Sequence, residues 1–96
     1  MSQNQQQVQI KADDKTLQGH YANALMASHT PDEFVLDFIF TQQPAPTLVS
    51  RIIVTPAHFK RMLAAMQENL TNYEKTNGVI NVSSDDENKN AFGFQI

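Results

Sequence analysis

The sequence predicts an α+β fold: an antiparallel sheet of three to five strands followed by one long amphipathic helix packed on one face. Three observations predict it. From Glu33 to Phe40 the residues alternate, with Phe34, Leu36, Phe38 and Phe40 on one face and Glu33, Val35, Asp37 and Ile39 on the other. Leu48 to Val54 is β-branched and apolar, a second strand, and the intervening Thr41–Thr47 carries Pro44 and Pro46, the composition of a hairpin loop. At Thr55 the period changes from that of a strand to that of a helix.

The elements follow in order. Residues 1–7 are polar and Gln-rich, with too little apolar content to join a core, and read as a disordered lead. Val8 and Ile10 alternate with Gln7, Gln9 and Lys11, the period of a short edge strand, which Asp13, Asp14 and Lys15 interrupt. Gly19 opens a second extended segment from His20 to about Ser28. Thr30-Pro31-Asp32 is turn chemistry: proline presets one φ angle and the Asp carboxylate bonds nearby backbone. Thr55-Pro56 then pairs a helix N-cap with proline at the first helical position, where its missing N–H is not needed. Phe59, Met62, Leu63, Met66, Leu70 and Tyr73 make one apolar stripe, and Asn77-Gly78 supplies the stop. Val79, Ile80 and Val82 suit one more short strand. An acidic, polar stretch over 83–90 precedes the alternating Phe92, Phe94 and Ile96. The organisation is thus a lead over 1–7, one α+β domain over 8–82 and a tail over 83–96.

A symmetric Thr41–Thr47 loop sets the register. Phe40 then opposes Leu48, Leu36 opposes Ile52 and Phe34 opposes Val54, all on one apolar face. The same register sets Asp37 opposite Arg51 on the other face, a cross-strand pair of opposite charge. A slip of one residue destroys both matches.

With 96 residues the chain makes one domain with a thin core. There is no cysteine, which excludes disulfides, thiolate metal sites and cysteine nucleophiles. A formal net charge of −3 argues against nucleic acid as the main partner, though it leaves room for a local basic patch. No apolar run is long enough to span a bilayer, and the N-terminus lacks the basic and apolar regions of a signal peptide. The default expectation is a cytoplasmic location with no membrane contact.

Tyr21-Ala22-Asn23, Glu33-Phe34-Val35-Leu36-Asp37-Phe38, Ser50-Arg51-Ile52-Ile53 and Thr55-Pro56-Ala57-His58, closing on Asn69 and Tyr73-Glu74, together resemble a family of short bacterial proteins, the domain of unknown function numbered 3467. The resemblance runs from about Val8 to Gly78 and implies no activity. Where relatives often continue with alanine and lysine after the histidine, this chain reads Phe59-Lys60, which leaves the helix intact. More loosely, strands followed by a helix are similar to the layout of SecB-type export chaperones. That likeness implies an oligomer presenting apolar grooves to unfolded clients, by analogy of fold alone.

Residues that carry chemistry are few. His20, His29 and His58 share no metal-ligand spacing, so no metal is expected. Ser28, Ser50 and Thr55 have no base at a recognisable spacing, and the three glycines are isolated, so neither a hydrolase nor a phosphate-cradling loop is indicated. We expect no enzyme and no cofactor. Thr55, His58, Lys60 and Arg61 put basic groups at the helix start, and Glu68 and Glu74 lie toward its end, both against the helix dipole. Two readings stand: an anion site built on Thr55, His58, Lys60 and Arg61, or surface ion pairs with Asp32, Glu33 or Asp37. On the sheet face away from the helix, Met26, Val35, Ile39, Val49 and Ile53 surround Asp37 and Arg51, a composition suited to an oligomer interface whose charge pair sets register. An exposed pair worth little is the alternative. Asn23, expected on the face of Leu25 and Phe38, is read as bonding backbone rather than a ligand. Phe92, Phe94 and Ile96 suit strand addition to a sheet edge in this domain or a partner's, or form only a frayed end.

The function expected is therefore a non-enzymatic, oligomeric protein-interaction module of adaptor or chaperone type, forming homo-oligomers and binding a protein client. The first rival is a nucleic-acid-associated accessory protein using Arg51, His58, Lys60 and Arg61; the second is a small-molecule or anion-binding module.

Overall fold

The structure, a computed structural model, describes residues 8–82. Five elements follow one another: α1 (Asp14–Gln18), β1 (Ala24–His29), β2 (Phe34–Phe40), β3 (Thr47–Val54) and α2 (Pro56–Asn77). The layout is α+β, an antiparallel sheet in the order β1-β2-β3 followed by a long helix. The lead over 1–7 and the tail with Phe92, Phe94 and Ile96 lie outside the described residues.

The first element departs from the alternation read in the sequence. Residues 8–13 have no regular structure, and Val8 and Ile10 are exposed. The Asp residues that interrupt the alternation start a helix instead. Asp13 caps α1, its Oδ1 accepting from the Thr16 N–H at 2.7 Å, and this bond holds the Asp13 carboxyl below the usual carboxylate range. Gly19 ends α1 with φ 78° and ψ 175°, a backbone region essentially reserved for glycine. Two apolar residues with no strand beside them cannot hold an edge strand.

The hairpin between β1 and β2 closes through Thr30. Its N–H donates to the Glu33 carbonyl at 2.9 Å, and its Oγ1 accepts from the Asp32 and Glu33 N–H groups. Between β2 and β3 the register pairs Phe34 with Val54, Leu36 with Ile52 and Asp37 with Arg51. It then shifts between Phe38 and Ile39: Phe38 faces Ser50, Ile39 faces Leu48, and Val49 is left as the extra residue of a bulge. Phe40 consequently opposes Thr47, not Leu48. The long loop is therefore not symmetric about its ends.

The core is very thin. Among the described residues only Leu36 (4% exposed) and Ile39 (8%) are buried apolar residues, one on each face of β2. Helix α2 meets the sheet at its own beginning, where Phe59 stacks on Phe34 with centroids 4.1 Å apart, and Phe59 and Met62 are half-buried. Beyond that first contact the stripe is open: Leu63, Met66, Leu70 and Tyr73 are between 40 and 53% exposed. One residue, Thr55, separates β3 from α2, too little chain to turn the helix back across the sheet. No strand forms over 79–82, where Val79, Ile80 and Val82 are exposed. No helix among the described residues is long and apolar enough to cross a membrane.

Candidate functional site

Three places in the fold hold residues singled out by the sequence. The first is the face of the sheet turned away from Phe59. Arg51 on β3 meets Asp37 on β2 in a two-pronged pair, Nε to Oδ1 at 2.7 Å and an Nη to Oδ2 at 3.0 Å. A planar guanidinium fits a carboxylate in this way and fixes both side chains. The hydrogen bonds from Arg51 hold the Asp37 carboxyl below its usual range and push the guanidinium further up, partial desolvation of Asp37 opposing this only in part. The two ends differ in access: the Asp37 side chain is 14% exposed and that of Arg51 56%. Around them Met26, Val35 and Val49 are half-buried, Ile53 and Leu48 are exposed, and Ile39 is already buried.

The second place is the start of α2. Thr55 is the N-cap: its Oγ1 accepts from the His58 N–H at 3.2 Å and its carbonyl from the Phe59 N–H at 2.9 Å. Pro56 has no N–H, so the first turn keeps only the Ala57 amide without a bond from the cap. His58, Lys60 and Arg61 are exposed around it. The ion pair found among the described residues is Arg51 with Asp37, so neither Lys60 nor Arg61 pairs with Asp32, Glu33 or Asp37 there. Arg51 belongs to the opposite sheet face from the one Phe59 touches and does not join the basic groups of the helix into one patch. No cluster of His, Asp and Glu with metal-binding geometry occurs among the described residues.

The third place is α2 itself, whose exposed face presents Ala65, Met66, Asn69, Leu70 and Tyr73 as one open surface. Its C-terminus explains a charge that looks misplaced in the sequence. The Glu74 Oε2 accepts from the Ile80 N–H at 2.9 Å, drawing the chain back after the helix. Asn77 Nδ2 donates to the Tyr73 carbonyl at 3.1 Å, and the Gly78 N–H donates to the Glu74 carbonyl at 3.0 Å. Gly78 carries φ 92° and ψ 162°, again a glycine conformation.

Two arrangements go beyond the sequence reading: the backbone partner of Asn23, which is Thr41, and a ring cluster at the start of α2. Asn23 closes the open end of β1: its Oδ1 accepts from the Thr41 N–H at 2.8 Å and the Thr41 hydroxyl at 3.0 Å, and its own N–H donates to the Ile39 carbonyl. The amide side chain thereby extends the β1–β2 ladder by one step. His29, the cross-strand partner of Phe34, also stands against it at 5.4 Å, so β1, β2 and α2 meet in a His29–Phe34–Phe59 stack. The signal available for this stack is the pair of residues, His29 and Phe34, that flank the Thr30–Glu33 turn.

No protein of curated function and no solved structure matches the chain. One family does. The profile described as "Protein of unknown function (DUF3467)" matches residues 1–82. With that match spanning most of its length, on the segments around β2, β3 and α2 that carry the sheet, the cap and the open helix, the chain belongs to the DUF3467 family.

Proposed function

We propose that this chain is a non-enzymatic, homo-oligomeric protein-interaction module of adaptor or chaperone type. The observation that carries this reading is the imbalance between apolar surface and core among the described residues: two buried apolar residues against an open helix stripe and exposed Leu48, Ile52 and Ile53 on the sheet. Soluble monomers rarely leave a contiguous apolar patch beyond a few hundred Å² in water. Association of copies covers part of this surface, and what stays open meets an apolar client segment. The sheet face of Met26, Val35, Ile39, Val49 and Ile53, with Asp37 and Arg51 fixing register, is one contact surface between copies, packed sheet to sheet about a twofold axis.

The test is sedimentation across a concentration series, with binding of a fluorescent apolar peptide measured at two salt concentrations. A dimer or larger even-numbered oligomer that binds the peptide independently of salt is expected. A monomer at every concentration, or binding only to RNA or DNA with steep salt dependence, overturns the reading.

A further inference from the structure

The stripe along α2 has a finer pattern than helical periodicity requires. Phe59, Leu63, Met66, Leu70, Tyr73 and Asn77 succeed one another in alternating steps of four and three, the heptad spacing of a coiled-coil seam. Phe59 is spent on Phe34, and Asn77 on the Tyr73 carbonyl. The four seam residues between them are the half-exposed ones. We propose that α2 pairs with α2 of a second copy of this chain, antiparallel, along Leu63, Met66, Leu70 and Tyr73. The proposal deepens the oligomer reading above by naming a contact that does not involve the sheet face.

Charge selects the direction. With the helices antiparallel and the seam aligned about its middle, Leu63 meets the partner's Tyr73 and Met66 meets the partner's Leu70. The positions flanking the seam on one side are Lys60, Gln67 and Glu74. In this alignment Lys60 stands beside the partner's Glu74, once at each end, and Gln67 beside the partner's Gln67. Glu74 uses Oε2 for the Ile80 N–H, leaving Oε1 for the lysine. A parallel pair matches no opposite charges: Met62 falls beside the partner's Gln67 and Asn69 beside the partner's Glu74. It also sets both helix dipoles side by side in the same sense, where the antiparallel pair opposes them. Lys60 and Glu74, each against its own helix dipole, thus gain a reason for their places.

The absence of cysteine makes the test direct. Leu63→Cys and Tyr73→Cys variants, mixed and treated with a short thiol crosslinker, are expected to join to each other, while neither joins to itself. Lys60→Glu and Glu74→Lys are each expected to weaken self-association about tenfold, and an equimolar mixture is expected to recover it as a heterodimer, since every flanking pair is again of opposite charge. Circular dichroism establishes that each variant is folded. Self-linking of Leu63→Cys overturns the antiparallel seam, as does an oligomer that shows no crosslink at all, and that second result leaves the sheet-face oligomer standing. A monomeric wild-type chain removes both.

Discussion

At the scale of single residues, local chemistry decides what the sequence reveals. Thr55-Pro56 announces the helix start because a cap and an N1 proline act on backbone only three or four residues away, and the Thr55–His58 bond realises it. Thr55→Ala is expected to cost about 1 kcal/mol in urea melts. Thr71→Ala, which removes only a surface bond from Gln67, should cost far less, and equal losses would contradict the cap. Asn23 was only half legible, since its partner Thr41 is 18 residues away and is brought near by the hairpin. Asp37 and Arg51 were legible because strand register alone juxtaposes them. The Asp37 pKa is lowered in the folded chain, so its stabilising contribution is complete above the ordinary value of 3.8 and is lost as pH falls through the lower native value. Acid melts should therefore show part of the wild-type stability falling away below about pH 4, with Asp37→Asn flatter across that window. Identical acid profiles would remove the pair from the stability of the fold.

At the scale of elements, the strands over 33–40 and 48–54 and the long helix are legible because each shows a sustained period. The departures fall where the period is short or competes with capping. Val8 and Ile10 offer a single alternation, and Asp13 as a cap outweighs it. The bulge at Val49 was hidden because a symmetric loop and a bulged one have the same composition; the difference of one residue shows only in which partner Phe40 takes. The stop of α2 was visible in Asn77-Gly78, but not the bond from Ile80 to Glu74. Gly78→Ala forces a side chain into φ 92° and is expected to cost about 1–3 kcal/mol, or to unwind the last turn, which amide exchange over 74–78 would register. Unchanged stability and exchange would mean that this stop is dispensable.

At the scale of the whole molecule, periodicity identifies an apolar face without saying what covers it. The amphipathic layout predicts that the stripe of α2 faces the sheet; the structure seats only its first turns there, and among the described residues the rest stays open, which is the reason to expect a second copy. If folding and association are coupled, a tenfold rise in protein concentration adds about 1.4 kcal/mol to the unfolding free energy. Spread over the unfolding entropy of two chains, that corresponds to roughly 3–5 °C in Tm. A Tm independent of concentration would sever the two. Ile53→Asp places a charge on the exposed apolar sheet face and should lower the oligomeric state, whereas Lys75→Asp, away from both surfaces, should leave it unchanged.

The junction of β3 and α2 has a mechanical consequence. A helix of 22 residues is about 33 Å long, and it leaves the strand across one capped residue with no slack between them. It is a lever with its fulcrum at Thr55. A tilt of about 10° there, small beside the scatter of helix packing angles, carries the far end through roughly 6 Å. Any event that bends the end of β3 is therefore magnified at Tyr73 and Asn77, the end where a second molecule would register it first.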